Sequence, residues 1–464
     1  MVLTRLFQRR DAALFYAALL VTSVATGTLT ARNQQSVSLP VIGIVAVCGA
    51  VVMLSIPAQV LFLGWLFVAP FLQVSAGATS LGRALVWGLY VGPALMLVVL
   101  TVMRRRASHS RTWLDVIPAV YVAYVFGSLV LTHGLSTRPA GSLKAFFEIV
   151  ALGAVVYYFL TSGPGADIPP ARIATVVLAG GAVQGGLALV ERASGWNLWN
   201  DNYWHINNGA ARAVSTLDNP AVLGAYLGVT VVVALAVLGW GGPRHMRRLA
   251  AVALVLSVPG LLVTLTRGPI LATAVVASLV LVLGPRTRLI GVVTIAGAAL
   301  VLVLLLPAVR SSELYQQRVA DRVNVEGRLV LQKLSFQLAA KKPIVGWGYG
   351  SFDRVKQVEQ LKFNDSIPVG VLGLTSHDTY LTNLVELGGL GLLLLLLPWT
   401  AILLRAIKRM RISSTDRWLL VAGVAAVFVI VLTATTVDFR FFSFAETLPW
   451  VFLAIVQRTL ATPG

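Results

Sequence analysis

The sequence predicts an all-α polytopic membrane protein of about 12–14 transmembrane helices with one large, partly helical outer loop. Three observations carry that prediction. Hydrophobic residues make up 57% of the 464 positions and charged residues only 12%, and the mean hydropathy is +0.82, too apolar for a soluble chain of this length. The apolar residues come in runs of about twenty, the length that crosses a hydrocarbon core of about 30 Å. Between these runs lie two substantial polar stretches, 192–218 and 308–376.

Taken in order, the apolar runs fall near 11–31, 39–55, 57–74, 84–103, 114–132, 143–160, 172–191, 219–240, 247–266, 269–284, 289–307, 378–404, 418–437 and 441–457. The basic start, Met1–Arg10, resembles a signal peptide in charge, but the run behind it is too long and leads at once into further spans, so it is read as the first helix. The net charge of +19 does not indicate a nucleic-acid partner, because the basic residues cluster in short loops between apolar runs. They also set orientation. With the N-terminus cytoplasmic, one set of loops holds Arg5, Arg9, Arg10, Arg104–Arg106, Arg244, Arg247, Arg248, Arg286, Arg288, Arg405, Lys408, Arg409, Arg411 and Arg417, and the opposite short loops hold far fewer positive charges. Short cationic loops resist translocation, so both termini are expected in the cytoplasm and both polar loops on the outer face. The expected organisation is residues 1–307 as transmembrane helices with outer loop 192–218, residues 308–376 as a large extracytoplasmic loop, and residues 377–464 as the C-terminal helices. The single cysteine, Cys48, sits inside an apolar run, which rules out an internal disulfide and a thiol pair for metal or redox work.

The candidate chemistry lies where the long loop meets the next helix, at Ser376-His377-Asp378-Thr379-Tyr380. Thr375 through Asp378 fit a Thr-x-x-Asp capping box, which places His377 in the first helical turn near the positive end of the helix dipole. That position disfavours imidazolium and leaves a neutral ring able to accept a proton. Arg267, in Thr266-Arg267-Gly268-Pro269, is expected to end an apolar run on the outer side, with the Gly-Pro step breaking the helix. An arginine at that level favours an anion, and a pyrophosphate suits it. Arg212 follows a loop rich in Trp, Asn and Asp (Trp196, Trp199, Asn200, Asp201, Trp204, His205) and supplies a second planar fork for phosphate oxygens. Each also fits a plainer role: a histidine bonding a turn, a snorkelling arginine, an interfacial aromatic belt.

Within the long loop, Glu326-Gly327-Arg328 opens a helix to Ala340, followed by Pro343-Ile344-Val345-Gly346-Trp347-Gly348-Tyr349-Gly350-Ser351-Phe352. Three alternating glycines allow a tight turn and close backbone approach, but match neither a P-loop nor a dinucleotide fingerprint. Asp353, Glu359, Asp365 and Asp378 have no coordinating pattern, so no metal is expected. Glu386, nine residues beyond His377, lies about 180° around a helix from it and reads as a structural partner of another helix.

In their order, these segments resemble the O-antigen ligase and O-antigen polymerase superfamily of bacterial membrane glycosyltransferases. The resemblance runs from about Arg212 to Leu397 and rests on Arg212 through Asn219-Pro220 and Tyr226, on Thr266-Arg267-Gly268, and on Gly327-Arg328, Pro343–Phe352, His377–Leu381 and Glu386–Gly391. Two positions depart from the family pattern: Asp378 stands where an Asn is usual, and Ala221 where a second Asn follows the proline. The resemblance implies an enzyme of the bacterial cytoplasmic membrane that works at its outer face without cofactor, metal or nucleotide sugar. It would move a glycan from a polyprenyl-diphosphate carrier to a glycan or lipid-linked acceptor. His377 would be the acceptor-activating base, Arg212 and Arg267 would bind the donor diphosphate, and Arg328, Asp378 and Tyr380 would give support. A repeat-unit polymerase of the same superfamily is the alternative, and a transporter of lipid-linked oligosaccharide is a weaker one, since the charged residues fall at the ends of the apolar runs.

Overall fold

The 21 residues of Pro220–Trp240 are apolar on every side, and the fold is arranged to bury them. The structure, a computed structural model, describes residues 56–72, 113–132, 145–196, 212–217, 219–293, 323–360, 376–410 and 417–461, with isolated positions 93, 97, 143, 296 and 297. The expected apolar runs 11–31 and 39–55, and most of 84–103 and 289–307, lie outside the described residues, as do Trp199–His205 and Thr375. Among the described residues there is no strand, and the long helices are α1 (Ala58–Val68), α2 (Trp113–Leu131), α3 (Leu152–Thr161, preceded by a π-helical stretch Phe146–Ala151), α4 (Pro170–Ser194), α5 (Pro220–Trp240), α6 (Arg244–Val263), α7 (Arg267–Leu283), α8 (Val323–Lys341), α9 (Phe352–Gln360), α10 (Thr379–Met410), α11 (Arg417–Ala434) and α12 (Ser443–Ala461).

Helix α5 packs against α4, α6, α7 and α11, which surround it, while α3, α10 and α12 continue the bundle from α11. Asn219 starts α5 by accepting the Ala221 N–H at 2.8 Å, Pro220 fills the first turn, and Gly241 ends it in the left-handed region. Outward faces are equally apolar: Val252, Val255, Val258 and Leu262 on α6, and Leu271, Val275, Leu279 and Leu283 on α7, are all exposed. Water would penalise such faces; lipid does not. Helices α4, α5, α6, α10 and α11 are each long and apolar enough to cross a membrane. The protein is an all-α polytopic membrane protein.

Helix α10 departs from expectation. It runs from Thr379 to Met410 but is broken at Gly388, which has φ +67° and ψ −172°. The break strands backbone groups, and the glycine-rich segment of the long loop satisfies them. Trp347 N–H donates to the Val385 carbonyl (2.9 Å) and Gly348 N–H to the Glu386 carbonyl (2.8 Å), while Gly389 and Leu390 N–H donate to the carbonyls of Pro343 (2.7 Å) and Ile344 (3.1 Å). The Leu387 carbonyl accepts from Tyr124 Oη of α2 at 2.8 Å. The loop thus carries two helices, α8 and α9, and its glycine turn is stitched into a gap in a membrane helix.

Two ends of the bundle differ in character. At one end meet the segments 212–220, 264–267, 343–352, 376–379 and 435–442. The far end holds the basic turns: Arg244, Arg247 and Arg248 start α6, Arg405, Lys408 and Arg409 lie near the end of α10, and Arg458 near the end of α12 donates to the carbonyls of Ala166 and Ile168 at 2.6 Å each.

At Gly388 any Cβ would collide with the Ile344 backbone, and the left-handed φ adds about 1–2 kcal/mol for a non-glycine residue. Gly388→Ala is therefore expected to lower the unfolding midpoint in detergent, whereas Gly186→Ala, where a Cβ meets open space, leaves it unchanged.

Candidate functional site

Arg212 is placed by a polar cradle on α4. Glu191, buried near the end of that helix, accepts the N–H groups of Val214 (3.0 Å) and Ser215 (2.7 Å) with one carboxylate oxygen. Gln184, fully buried about two turns earlier, accepts from Ser215 Oγ at 2.7 Å and donates to Thr216 Oγ1 at 2.6 Å. Pinned there, the chain sends the Arg212 guanidinium toward the α6–α7 link, where Nε donates to the Thr264 carbonyl (3.2 Å) and Nη2 to Thr266 Oγ1 (2.7 Å). Part of the guanidinium fork thus tethers one loop to the next.

Arg267 does not end a helix, as the Gly-Pro step suggested; it begins α7. The break comes earlier, at Thr264–Thr266, and Pro269 lies in the first turn of α7, where its missing N–H has no intrahelical role. Gly268 fits against Thr436 beyond α11, and this contact sets the first turn of α7 beside the 435–442 turn. Arg267 is exposed. It is close enough to Arg328 of α8 to disfavour that side chain's charge, with partial dehydration the larger cause.

At the start of α10 the capping box is replaced by a different arrangement. Asp378 is itself the cap: its Oδ1 accepts the N–H of Tyr380 (2.8 Å) and Leu381 (2.9 Å). His377 therefore precedes the helix rather than lying in its first turn, and it is held at φ +52°. Ser376 clamps the histidine from both sides, its Oγ donating to the Asp378 carbonyl (2.7 Å) and accepting the Asp378 N–H (3.1 Å), with Thr382 Oγ1 in close contact. The surroundings of the ring favour its neutral form, for a reason other than the helix dipole. Burial and the Arg328 cation keep His377 below the ordinary histidine range, Lys356 of α9 adds to this, and Asp438 partly opposes it. Tyr380 spends its hydroxyl on the Val431 carbonyl at 2.9 Å and so braces α10 against α11.

Sequence reasoning missed the group on which this end of the molecule is hung. Arg440, one of the few positive charges in the opposite short loops, is inserted between two buried carboxylates. Its Nε lies 3.0 Å from Asp438 Oδ1 and its Nη2 2.8 Å from Asp438 Oδ2, while Nη1 lies 2.7 Å from Glu386 Oε1. Glu386 also accepts the N–H of Gly350 (2.9 Å) and Phe352 (3.0 Å), an anion at the start of α9. Asp438 lies 3.0 Å from Thr382 Oγ1, which closes the link to Ser376 and hence to His377. The available signal was Asp438-Phe439-Arg440, a charge pair between two apolar runs, with Glu386 an acid buried in a third.

The three segments that carry the expected site residues share one further property. Among the described residues, the non-glycine positions with φ in the left-handed region are Ser215, Leu265 and His377, at +51°, +50° and +52°. One lies three residues after Arg212, one lies two before Arg267, and the third is the histidine. Such backbone costs about 1–2 kcal/mol per residue and persists where surrounding bonds overdetermine it.

Comparison with known families bears on this end of the bundle. Residues 252–396 match the family described as O-antigen ligase. The chain resembles the O-antigen ligase superfamily across that segment, which includes Arg267, Arg328, His377 and Glu386; Arg212 and the Asp438–Arg440 pair lie outside it. No curated protein matches the chain.

Removing one partner of a buried, hydrogen-bonded ion pair costs about 3–5 kcal/mol. Glu386→Ala removes one of the two carboxylates around Arg440 and the acceptor of the Gly350 and Phe352 N–H groups, so chemical or thermal unfolding in detergent should show a loss of about that size. An unchanged midpoint would show that the network carries little of the fold's stability.

Proposed function

We propose that the protein is a bacterial inner-membrane glycosyltransferase of the O-antigen ligase type. It transfers a glycan from a polyprenyl-diphosphate donor to an acceptor hydroxyl at the outer face of the membrane. The observation that supports this most is the coincidence of strain and charge: the three left-handed non-glycine positions among the described residues flank or include Arg212, Arg267 and His377, and Arg328 lies within electrostatic range of both Arg267 and His377. The match to the O-antigen ligase family over residues 252–396 supports the reaction class. The basic turns at the opposite end of the bundle, which favour the cytoplasm, support the outer face for this end.

In this reading His377, neutral near physiological pH, takes the proton of the acceptor hydroxyl. The acceptor oxygen forms a bond to the anomeric carbon of the donor sugar, and the bond from that carbon to the diphosphate breaks, its electron pair leaving with the phosphate oxygen. Arg212 and Arg267 neutralise the charge that develops on the departing diphosphate, with Arg328 beside Arg267. Attack opposite the leaving group inverts the anomeric centre. Asp378 shapes the turn that presents His377, and Tyr380 fixes the helix behind it.

The test is mass analysis of products made by purified protein from a lipid-linked oligosaccharide and an acceptor. His377→Ala is expected to lose transfer by about 100- to 10,000-fold while remaining folded; full activity would remove the histidine from the reaction. Arg267→Ala should raise the donor KM roughly 10- to 100-fold, the equivalent of about 1.5–3 kcal/mol for a hydrogen bond to charge. A protein that moved donor across vesicles without forming a glycosidic bond would be a transporter, and a ladder of repeat units would indicate a polymerase.

The pH profile gives a second check. Because the base form of His377 is the active one and its pKa is lowered, the rate should hold as pH falls to about 6.5 and drop only below it. Arg328→Gln removes one of the two leading causes of that lowering, so the acidic limb should move upward.

A further inference from the structure

Helix α8 belongs to a loop outside the spans, yet it shows apolar side chains on two faces. Leu334, Leu338 and Ala339 are buried with Phe352, Val355 and Val385, which ties α8 to the first half of α10, and Leu331 on the same face is buried too. The opposite stripe, spaced three or four residues apart, is Leu329, Lys333, Phe336 and Ala340, and all four are exposed. Leu329 and Phe336 are each 58% exposed, and directly after the helix Ile344 and Val345 are 69% and 56% exposed. Lys341 and Lys342, also exposed, stand at the helix end, and Lys342 Nζ lies 4.3 Å above the Trp347 ring.

Height in the membrane identifies what covers this stripe. Beyond the break at Gly388, the apolar part of α10 runs to Leu404, before Arg405, Lys408 and Arg409, and at 1.5 Å per residue covers about 24 Å of a hydrocarbon core of about 30 Å. The break therefore lies within a few ångströms of the bilayer edge on this side. Pro343 and Ile344 are hydrogen-bonded to that break through Gly389 and Leu390, and α8 packs on Val385 just above it. An apolar stripe at this level, flanked by lysines, has the composition of a helix seated about 5–10 Å into the boundary between headgroups and acyl chains.

We propose that α8 and the Pro343–Val345 turn form an interfacial anchor, with Leu329, Phe336, Ile344 and Val345 inserted into the outer edge of the bilayer and the lysines among anionic headgroups. The anchor sets the height of Arg328, which adjoins Leu329, and thereby holds that guanidinium level with lipid phosphates. The proposal stands apart from the glycosyl-transfer reading and can fail without it.

Spin labels placed singly at 336 and 344 in a Cys48→Ser background, in proteoliposomes containing anionic lipid, test it by collision with oxygen and with a water-soluble relaxant. Labels at Leu271 on α7 and at exposed Gln357 on α9 give the lipid and water references. Positions 336 and 344 are expected to behave like 271, with oxygen contact exceeding aqueous contact and a depth of about 5–10 Å. Aqueous contact equal to that at 357 overturns the proposal. So does shielding from both reagents, which would mean that protein covers the stripe.

Discussion

One buried cation holds the polar end of this protein together. Arg440 joins Asp438 of its own turn to Glu386 of α10, and through those two carboxylates it reaches three separate segments. Glu386 fixes the start of α9 and the glycine turn; Asp438 reaches the Thr382–Ser376 pair that clamps His377. A guanidinium suits this position because its planar fork satisfies one carboxylate with two N–H groups and still reaches a second. Neither acid could be buried this deeply without it.

The broken helix α10 is the mechanical counterpart of that ion pair. A continuous helix would have left no free backbone groups beside Glu386, and the loop would have had nothing to dock on. With the break at Gly388, the segment Pro343–Gly348 exchanges four backbone hydrogen bonds with the helix and so acquires a fixed seat. Helices α8 and α9 then project from that seat and bring Arg328 and Lys356 within electrostatic range of His377.

The residues of the candidate site could be singled out one by one. Arg267 and His377 stood out as charged or titratable groups where apolar runs meet polar loops, Arg212 as a cation in the aromatic loop, and the structure carries all three on segments that meet at one end of the bundle. The details of their support were not legible. Arg267 opens a helix because Thr264–Thr266 breaks the chain before it, and Asp378 caps α10 where Thr375 had been expected to; short polar residues in sequence offer several equivalent caps, and only packing selects one. Arg440 did not stand out in the sequence, because its second carboxylate, Glu386, lies more than fifty residues away in the chain.

By itself the sequence determined the class of the protein, since runs of about twenty apolar residues can satisfy their backbone in lipid only as helices. It also determined which residue types stand at the ends of those runs, and that the three alternating glycines permit a turn closely approached by other backbone. The tertiary structure decided what the turn approaches, which helix breaks to receive it, and which acids surround the arginine. Those outcomes depend on contacts between segments far apart in sequence, and hydrophobic periodicity, which acts over a few turns of helix, carries no record of them.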